Sequence, residues 1–197
     1  MKYLDDYSGY GNKVLYRMCK DAPKHTDIDE IIGKIWIIGR SYSASIERKA
    51  GAKMIEGKDF YKEQVAPAIK NSEIDTWLNS VSSIKRLTKE NLHLSLSVHK
   101  NVTDLFKDIT GIEKRSLASK YLHFHQPNAF FIYDSIANTE IRNILREKKL
   151  RHKYQKGYDD EYSSFVERCL YYRDNYFEKE IGGFSTPRKL DMKLLGY

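Results

Sequence analysis

The residues from Ile109 to Ile136 hold the combination of side chains best suited to chemistry. They read as a tight turn at Gly111, a helix, a short extended connector and an aspartate, Asp134, that opens the next helix. An aspartate at a helix N-terminus accepts backbone N–H hydrogen bonds, which lower its pKa and keep it charged. Facing a cleft, such a carboxylate stabilises a cation forming on a sugar by about 4 kcal/mol at ~4 Å. The alternative is a plain N-cap contributing about 1 kcal/mol to stability.

The turn itself suits phosphate binding, because a bend between two helices leaves backbone N–H groups pointing outward. We expect Gly111 and Ile112 to hold a phosphate through those donors, with Lys114 and Arg115 adding positive charge. The alternative is an ordinary helix–helix connection with solvated charges. A helix and a connector separate Arg115 from Asp134, which would fold the aspartate back beside the turn.

Helical periodicity dominates the elements that must position these residues. Thr26 fits the N-cap of a long helix reaching about Arg48, and the segment LHLSLSVH is read as helix although its alternation also suits a strand. Further along the chain, residues 147–156 form a basic stretch. The other predicted helices cover 12–20, 58–70, 72–85, a span beginning near 88, 159–179 and a short one from Pro187. Residues 108–126 are read as a tight turn at Gly111 followed by a helix that ends before Pro127, and Asp134 or Ser135 caps a helix to about Lys149.

Composition restricts the class of protein. The chain has 197 residues, a formal charge of +7, four prolines and 11 glycines, which argues against disorder and against a turn-rich all-β fold. Two cysteines cannot form a disulfide framework. With no apolar run of ~18 residues and no apolar segment at the N-terminus, we expect a cytoplasmic globular protein without a membrane span. The charge suits a polyanionic partner such as nucleic acid.

The same segment resembles the helix-hairpin-helix DNA glycosylase superfamily, with the 8-oxoguanine DNA glycosylase fold as the nearest type. The likeness lies in Gly111-Ile112 before Lys114-Arg115, in Ala118 and Ser119, and in the connector that ends at Asp134. Three longer strings, ASKYLHFHQPNAFFIYDS, IWIIGRSYSASIER and TPRKLDMKLLGY, are similar to small prokaryotic glycosylase-fold proteins, some encoded beside antiphage defence genes.

This resemblance implies an all-α, two-lobed fold in which residues 1–87 and 150–197 form one lobe and residues 88–149 form the hairpin and catalytic lobe. It implies a hairpin that grips the DNA backbone, often with a bound monovalent cation, and no other cofactor. The target base is flipped into the cleft between the lobes. An aspartate in the position of Asp134 then assists cleavage of the N-glycosidic bond.

Two residues depart from the family pattern. Glu113 replaces the second hairpin glycine, and Arg115 occupies the place of the lysine nucleophile of bifunctional members. Arginine stays protonated and forms no Schiff base under ordinary conditions. Either Asp134 acts with water and lyase activity is absent, or another lysine serves, or the chemistry is lost. A one-residue shift offers Lys114, and Lys120 lies one and a half turns further along the helix.

A second group of residues is assigned to substrate contacts. Small residues around Gly39 would let a partner approach closely, or would allow close helix packing. His123 and His125 point about 200° apart on a helix, so no metal site is predicted. Arg40 and Arg48 are expected to contact nucleic acid, and the base pocket is assigned to Ser41, Tyr42, His125 and Tyr133.

Two functional hypotheses follow. The first is a DNA N-glycosylase that releases a modified or oxidised purine, with Asp134 assisting water attack at the sugar. The second is a non-catalytic reader of a modified base or nucleic acid, or a protein-interaction module, in a defence system. Glu113 and the missing lysine motivate the second hypothesis.

Overall fold

A computed structural model of the protein describes residues 8–51, 59–148, 150 and 156–196. The regular secondary structure in these ranges is helical, which confirms the all-α prediction. The α-helices of these ranges are α1 (Ser8–Asp21), α2 (Ile28–Ser41), α3 (Ala66–Lys70), α4 (Ile74–Ser80), α5 (Leu92–Thr110), α6 (Arg115–His125), α7 (Ser135–Ile144), α8 (Asp160–Tyr172), α9 (Glu178–Ile181) and α10 (Pro187–Leu194).

Helix α2 differs from its prediction at both ends. Its N-cap is Asp27 rather than Thr26, because the Asp27 carboxylate accepts a 3.0 Å hydrogen bond from the backbone N–H of Glu30. The helix ends at Ser41 rather than near Arg48. After Ser41 the chain turns back across Gly39. A Cβ on Gly39 would lie 3.0 Å from the Cα of Ser45, so the absent side chain admits the protein's own loop.

The next predicted helices are also shorter than expected. A π-helical turn (Tyr61–Val65) leads directly into α3, and residues 52–58 lie outside the described ranges. The helix expected over 72–85 is reduced to α4, after which Val81 and Ile84 are buried from turns rather than from a helical face. Buried turn residues therefore produce the helical spacing in this part of the sequence.

The segment from α5 to α7 follows the predicted order closely. The LHLSLSVH segment is helical within α5, and Gly111 ends that helix in the left-handed conformation with a φ of 75°. Helix α6 stops before Pro127, and an extended connector leads to Asp134, the N-cap of α7. Helix α7 ends at Ile144, before the predicted Lys149, and a 3-10 turn (Arg146–Lys148) follows.

Helices α8 and α9 form one helical run with a single irregularity. A π-helical turn (Arg173–Phe177) joins α8 to α9, and Gly182 ends the run in the left-handed conformation with a φ of 64°. Helix α10 begins at Pro187 as predicted. Most of the predicted basic stretch, residues 149 and 151–155, lies outside the described ranges.

Two hydrophobic cores meet in the molecule, and they divide the chain differently from the predicted lobes. The first core collects buried side chains from α1 to α6 and ends at Phe130. The second collects Leu87, Leu92 and Leu96 and then the buried side chains from Phe131 through α7, α8 and α10. Helix α5 serves both, because Leu92 and Leu96 pack in the second core while Val98, Val102 and Phe106 pack in the first. The boundary between the cores therefore falls between α6 and Asp134.

Candidate functional site

A buried lysine lies at the boundary between the two cores. Lys120 is only 2% exposed, and its ammonium group donates to the Ser116 hydroxyl at 2.7 Å and to the Tyr133 carbonyl at 3.2 Å. The same ammonium lies 5.8 Å from the centre of the Tyr42 ring. Burial lowers the pKa of Lys120, while the charges of Asp134 and Asp191 oppose that shift. The position on α6, among its core-facing residues, therefore gives an amine that is easier to deprotonate than an ordinary lysine.

Two carboxylates approach this lysine from separate helices. Asp134 caps α7 and accepts a 2.8 Å hydrogen bond from the backbone N–H of Ala137. Asp191 comes from α10, where it is 3% exposed and pairs with Arg188. Burial raises the pKa of Asp191 to about 6, and the charge of Asp134 raises it further against the opposing effects of Arg188 and Lys120.

One atom of this group lacks a partner. The Oδ1 atom of Asp191 is buried and accepts no hydrogen bond from the described part of the chain. We use the name junction cluster for the group formed by Tyr42, Lys120, Asp134, Arg188 and Asp191. Its unsatisfied oxygen is a place where a water or a substrate hydroxyl would gain a hydrogen bond.

Side chains of α1 and α6 pack beside the junction cluster. The Tyr42 hydroxyl donates to the Asn12 side chain at 2.7 Å, and the Tyr42 ring meets the Phe124 ring edge-on. The Nδ1–H group of His123 donates to the Phe130 carbonyl at 2.8 Å, so the Nε2 atom accepts the hydroxyl proton of Tyr16 at 2.6 Å. Burial lowers the pKa of His123 to about 4, which keeps the ring neutral, and the two hydrogen bonds select this tautomer.

The hairpin does not present its backbone donors as predicted. The N–H of Gly111 donates to the Lys107 carbonyl at 2.6 Å, and that of Ile112 donates to the Thr110 hydroxyl at 3.2 Å. The Ile112 carbonyl in turn accepts a hydrogen bond from that hydroxyl at 3.0 Å. Because the donors of Gly111 and Ile112 are used internally, the turn does not present these two groups to a phosphate. The monovalent cation that the resemblance implies stays a prediction.

The predicted cationic contacts are also bound within the protein. Arg115 donates from Nε to both carboxylate oxygens of Asp159 at 2.7 and 2.8 Å and from Nη1 to Glu161 at 3.0 Å. Lys114 donates to the Arg48 carbonyl, so the structure does not bring it to Asp134. Of the predicted lysines, Lys120 alone joins the junction cluster.

The remaining predicted arginines belong to the loop after α2. Arg40 pairs with Glu47 while its side chain stays 56% exposed, and Arg48 donates to the Ser43 carbonyl at 3.3 Å. Both guanidinium groups therefore brace the turn that ends α2. Their exposure leaves Arg40 and Arg48 accessible to a partner, although both side chains already bond to neighbouring groups of the same loop.

Only one of the four predicted base-pocket side chains reaches the junction cluster. Tyr42 does so, whereas Ser41 is exposed at the end of α2. The Tyr133 hydroxyl bonds to Glu161 on the second core, and only its backbone carbonyl faces Lys120. His125 lies on the first core, with its ring centre 5.1 Å from that of His25. Helix geometry separates His125 from Lys120, because residues five apart lie on different faces.

The two histidines of α6 have different partners, as their spacing requires. His123 bonds to Tyr16 and Phe130, while His125 bonds to the Tyr121 carbonyl at 2.8 Å. Within the described ranges, no group of three or more histidines, cysteines and acidic residues is arranged to hold a metal ion. None of the described helices has both the length and the apolar character needed to cross a membrane.

Comparison of the sequence with family models and curated proteins, and of the fold with solved structures, finds no match. The glycosylase resemblance therefore rests on the residues and motifs of the sequence alone.

Sequence reasoning misses the contribution of α10 to the junction cluster. The spacing of Arg188 and Asp191, three residues apart, predicts only a local ion pair, and that pair is present. Its burial is not expected from the spacing, although Asp191 follows the buried Leu190 and precedes the buried Leu194 by three positions. A charged residue within the apolar face of a short helix is the available signal.

Proposed function

We propose that this protein is an N-glycosylase-like protein that releases a modified or oxidised purine from DNA at the junction cluster. The observation that carries the proposal is the approach of the capped carboxylate of Asp134 to the buried amine of Lys120 at the boundary of the two cores. A carboxylate and an amine are the two groups that cleavage at a sugar carbon uses most directly. The positive net charge of +7 suits a DNA partner.

The first step concerns the bond between the sugar carbon C1′ and the base nitrogen. As this bond breaks, its electron pair leaves with the base, and positive charge develops on the sugar ring. Asp134 stabilises that charge, and the base nitrogen takes up a proton from solvent water as it departs. The backbone N–H of Ala137 holds the carboxylate in place, so little reorganisation is needed as the charge forms.

The second step is attack on C1′, for which the cluster offers two nucleophiles. A water that attacks C1′ gives its proton to Asp134 and completes hydrolysis. The neutral amine of Lys120 would instead form a C–N bond to C1′ and pass a proton to Asp134. Cleavage of the bond between C1′ and the ring oxygen, which takes up a proton, then gives an imine. The lowered pKa of this lysine favours the neutral form that this attack needs. Because Arg115 is committed to Asp159, Lys120 replaces it as the group to test for lyase activity.

The decisive experiment is base release from duplexes carrying a panel of modified purines, run with wild type and two aspartate variants. Asp134→Asn should lower the rate by at least a hundredfold, because about 3 kcal/mol of charge stabilisation is lost. Asp27→Asn is the matched control, since Asp27 caps α2 in the same way away from the cluster. Equal loss in both variants would show that Asp134 acts only as a helix cap.

Borohydride trapping on an abasic duplex separates the two nucleophiles. A trapped complex that is lost in Lys120→Met would identify the lysine amine as the nucleophile. Borohydride reduces an imine to a stable covalent complex, whereas attack by water forms no covalent complex with the protein. Base release without trapping would assign the attack to water. Absence of base release from every duplex would overturn the enzymatic proposal.

The second candidate is a reader that binds a modified base without cleaving it. It is favoured by the state of Lys120, whose amine is 2% exposed and already donates two hydrogen bonds. Salt-dependent binding to modified duplexes with no base release would support this function. Unchanged affinity in the Asp134→Asn variant would then exclude the junction cluster as the reading site.

A further inference from the structure

Three arginines surround a pocket that the proposed reaction does not use. The pocket has a volume of about 190 Å³ and lies between the C-terminal end of α7 and the middle of α8. Leu145 and Leu150 provide its apolar lining. The arginines are Arg142, Arg146 and Arg168, and we use the name arginine pocket for this group.

The arginine pocket brings three positive charges together. The other arginine ion pairs of the molecule join guanidinium groups to carboxylates, but in the described ranges no carboxylate pairs with these three. Burial and the positive charge of Arg142 both lower the pKa of Arg168, and Glu167 only partly offsets them. An anion between the guanidinium groups would oppose both of the effects that lower the pKa of Arg168.

Helix electrostatics explain only part of this arrangement. Arg142 lies in the last turn of α7, and Arg146 follows that helix in the 3-10 turn. Positive charge at both places complements the carbonyl end of the helix. Arg168 lies in the interior of α8 and gains no such benefit. Its guanidinium is instead fixed beside the others by the Ser164 carbonyl at 3.1 Å and by the Ser164 hydroxyl. A held guanidinium facing two further cations is the arrangement that recognises an anion with several oxygens.

We propose that the arginine pocket binds a phosphate group. Three guanidiniums match the several oxygens of a phosphate, and each can donate two parallel hydrogen bonds. The leucines beside them would contact an apolar part of the molecule that carries the phosphate. The ligand class is a phosphate ester, either a diester of a nucleic-acid backbone or a free phosphorylated small molecule.

This site is separate from the junction cluster. Arg142 follows Asp134 by eight residues, about 12 Å along the axis of α7. The inference goes beyond the proposed glycosylase function and does not depend on it, because no residue is shared between the two sites.

Calorimetric titration with inorganic phosphate tests the arginine pocket directly, at an ionic strength held constant with chloride. Wild type should show saturable binding. Arg168→Gln and the double variant Arg142→Gln/Arg146→Gln should each weaken it at least tenfold. Arg17→Gln is the matched control, since Arg17 is an exposed arginine on α1 away from the pocket, and it should leave the affinity unchanged.

The folding of each variant is checked through its unfolding temperature without phosphate, and the exposed double variant keeps the test valid should Arg168→Gln fail to fold. Absence of saturable heat in wild type, or equal affinity in wild type and the double variant, would overturn the proposal.

A second titration with an undamaged DNA duplex distinguishes the two sources of phosphate. For a backbone diester, the salt dependence of duplex binding should decrease in the double variant by about one unit of slope per lost contact. For a free phosphorylated ligand, duplex binding should be unchanged while inorganic phosphate binding is lost. Either result supports a phosphate site and assigns its class.

Discussion

At the scale of single residues, the most unusual group is the carboxylate of Asp191. It is 3% exposed, one of its oxygens has no partner in the described structure, and burial raises its pKa to about 6. An ordinary aspartate has a pKa near 3.9, so the folded protein holds this proton more tightly than the unfolded chain does. The group therefore makes stability depend on pH in a defined window.

The sign of that dependence follows from proton binding. Between about pH 4 and pH 6 the folded state binds more protons at Asp191, so stability falls as the pH rises. Relative to the Asp191→Asn variant, wild type should lose about 2–3 kcal/mol of its free energy of unfolding between pH 4 and pH 7. The titratable or charged groups that act on this carboxylate or are affected by it are Arg188, Asp134, Lys120, the Cys169 thiol and the hydroxyls of Tyr16 and Tyr42.

Urea unfolding of both proteins across that range measures the effect, because the difference between the two curves removes the titration of all other groups. Parallel curves would mean that Asp191 titrates normally and is hydrated in the folded protein.

At the scale of elements, substitution of two glycines by alanine tests the backbone geometry, and the two variants should change stability in opposite directions. Gly111 ends α5 with a φ of 75°, where an L side chain is strained, so Gly111→Ala should destabilise by about 1 kcal/mol. Gly33 lies within α2, and a Cβ there would meet nothing within 4 Å. Gly33→Ala should therefore stabilise by about 0.5–1 kcal/mol.

Thermal unfolding of the two single variants provides the measurement. A drop in unfolding temperature for both would show that α2 needs space at Gly33, and a rise for both would show that the hairpin does not require the left-handed conformation.

The same elements show which features can be predicted from the sequence. Local signals set the bounds of α5, α6 and α7. Gly111 ends α5 in the left-handed conformation, Pro127 follows the end of α6, and Asp134 caps α7 before a series of apolar residues. The end of α2 depends on the contact of Gly39 with the backbone of Ser45, and periodicity carries no information about a chain that turns back on itself.

The site is predictable to a smaller extent, for a physical reason. The place of Lys120 on α6 follows from local sequence, but its neighbours Asp191 and Tyr42 come from sequence positions far away. Arg115 is expected to face DNA because it lies beside a turn, whereas a bidentate carboxylate at the start of α8 holds it. Tertiary partners decide what a charged residue does, and a single sequence does not specify them.

At the scale of the whole molecule, one ion pair connects the two cores. Arg115 begins α6, which packs in the first core, and Asp159 caps α8, which packs in the second. The Asp159 side chain is 4% exposed, so removal of its partner leaves a nearly buried charge. Arg115→Met should lower the free energy of unfolding by about 2–3 kcal/mol.

The matched control is Lys100→Met, which removes a more exposed ion pair to Asp104 within α5. Such surface pairs contribute about 0.5 kcal/mol or less, so chemical denaturation should separate the two variants clearly. Equal stability of both variants would show that the Arg115 pair is solvated, and would return Arg115 to the set of residues free to contact a phosphate.

The sharing of α5 between the two cores has a consequence for protein synthesis. The residues of the first core precede most of those of the second along the chain, so the first core can begin to assemble during synthesis before the second core is complete. During that interval Leu92 and Leu96 lack the side chains that later cover them. The nascent chain therefore exposes an apolar surface at the start of α5 until the rest of the second core has folded onto it.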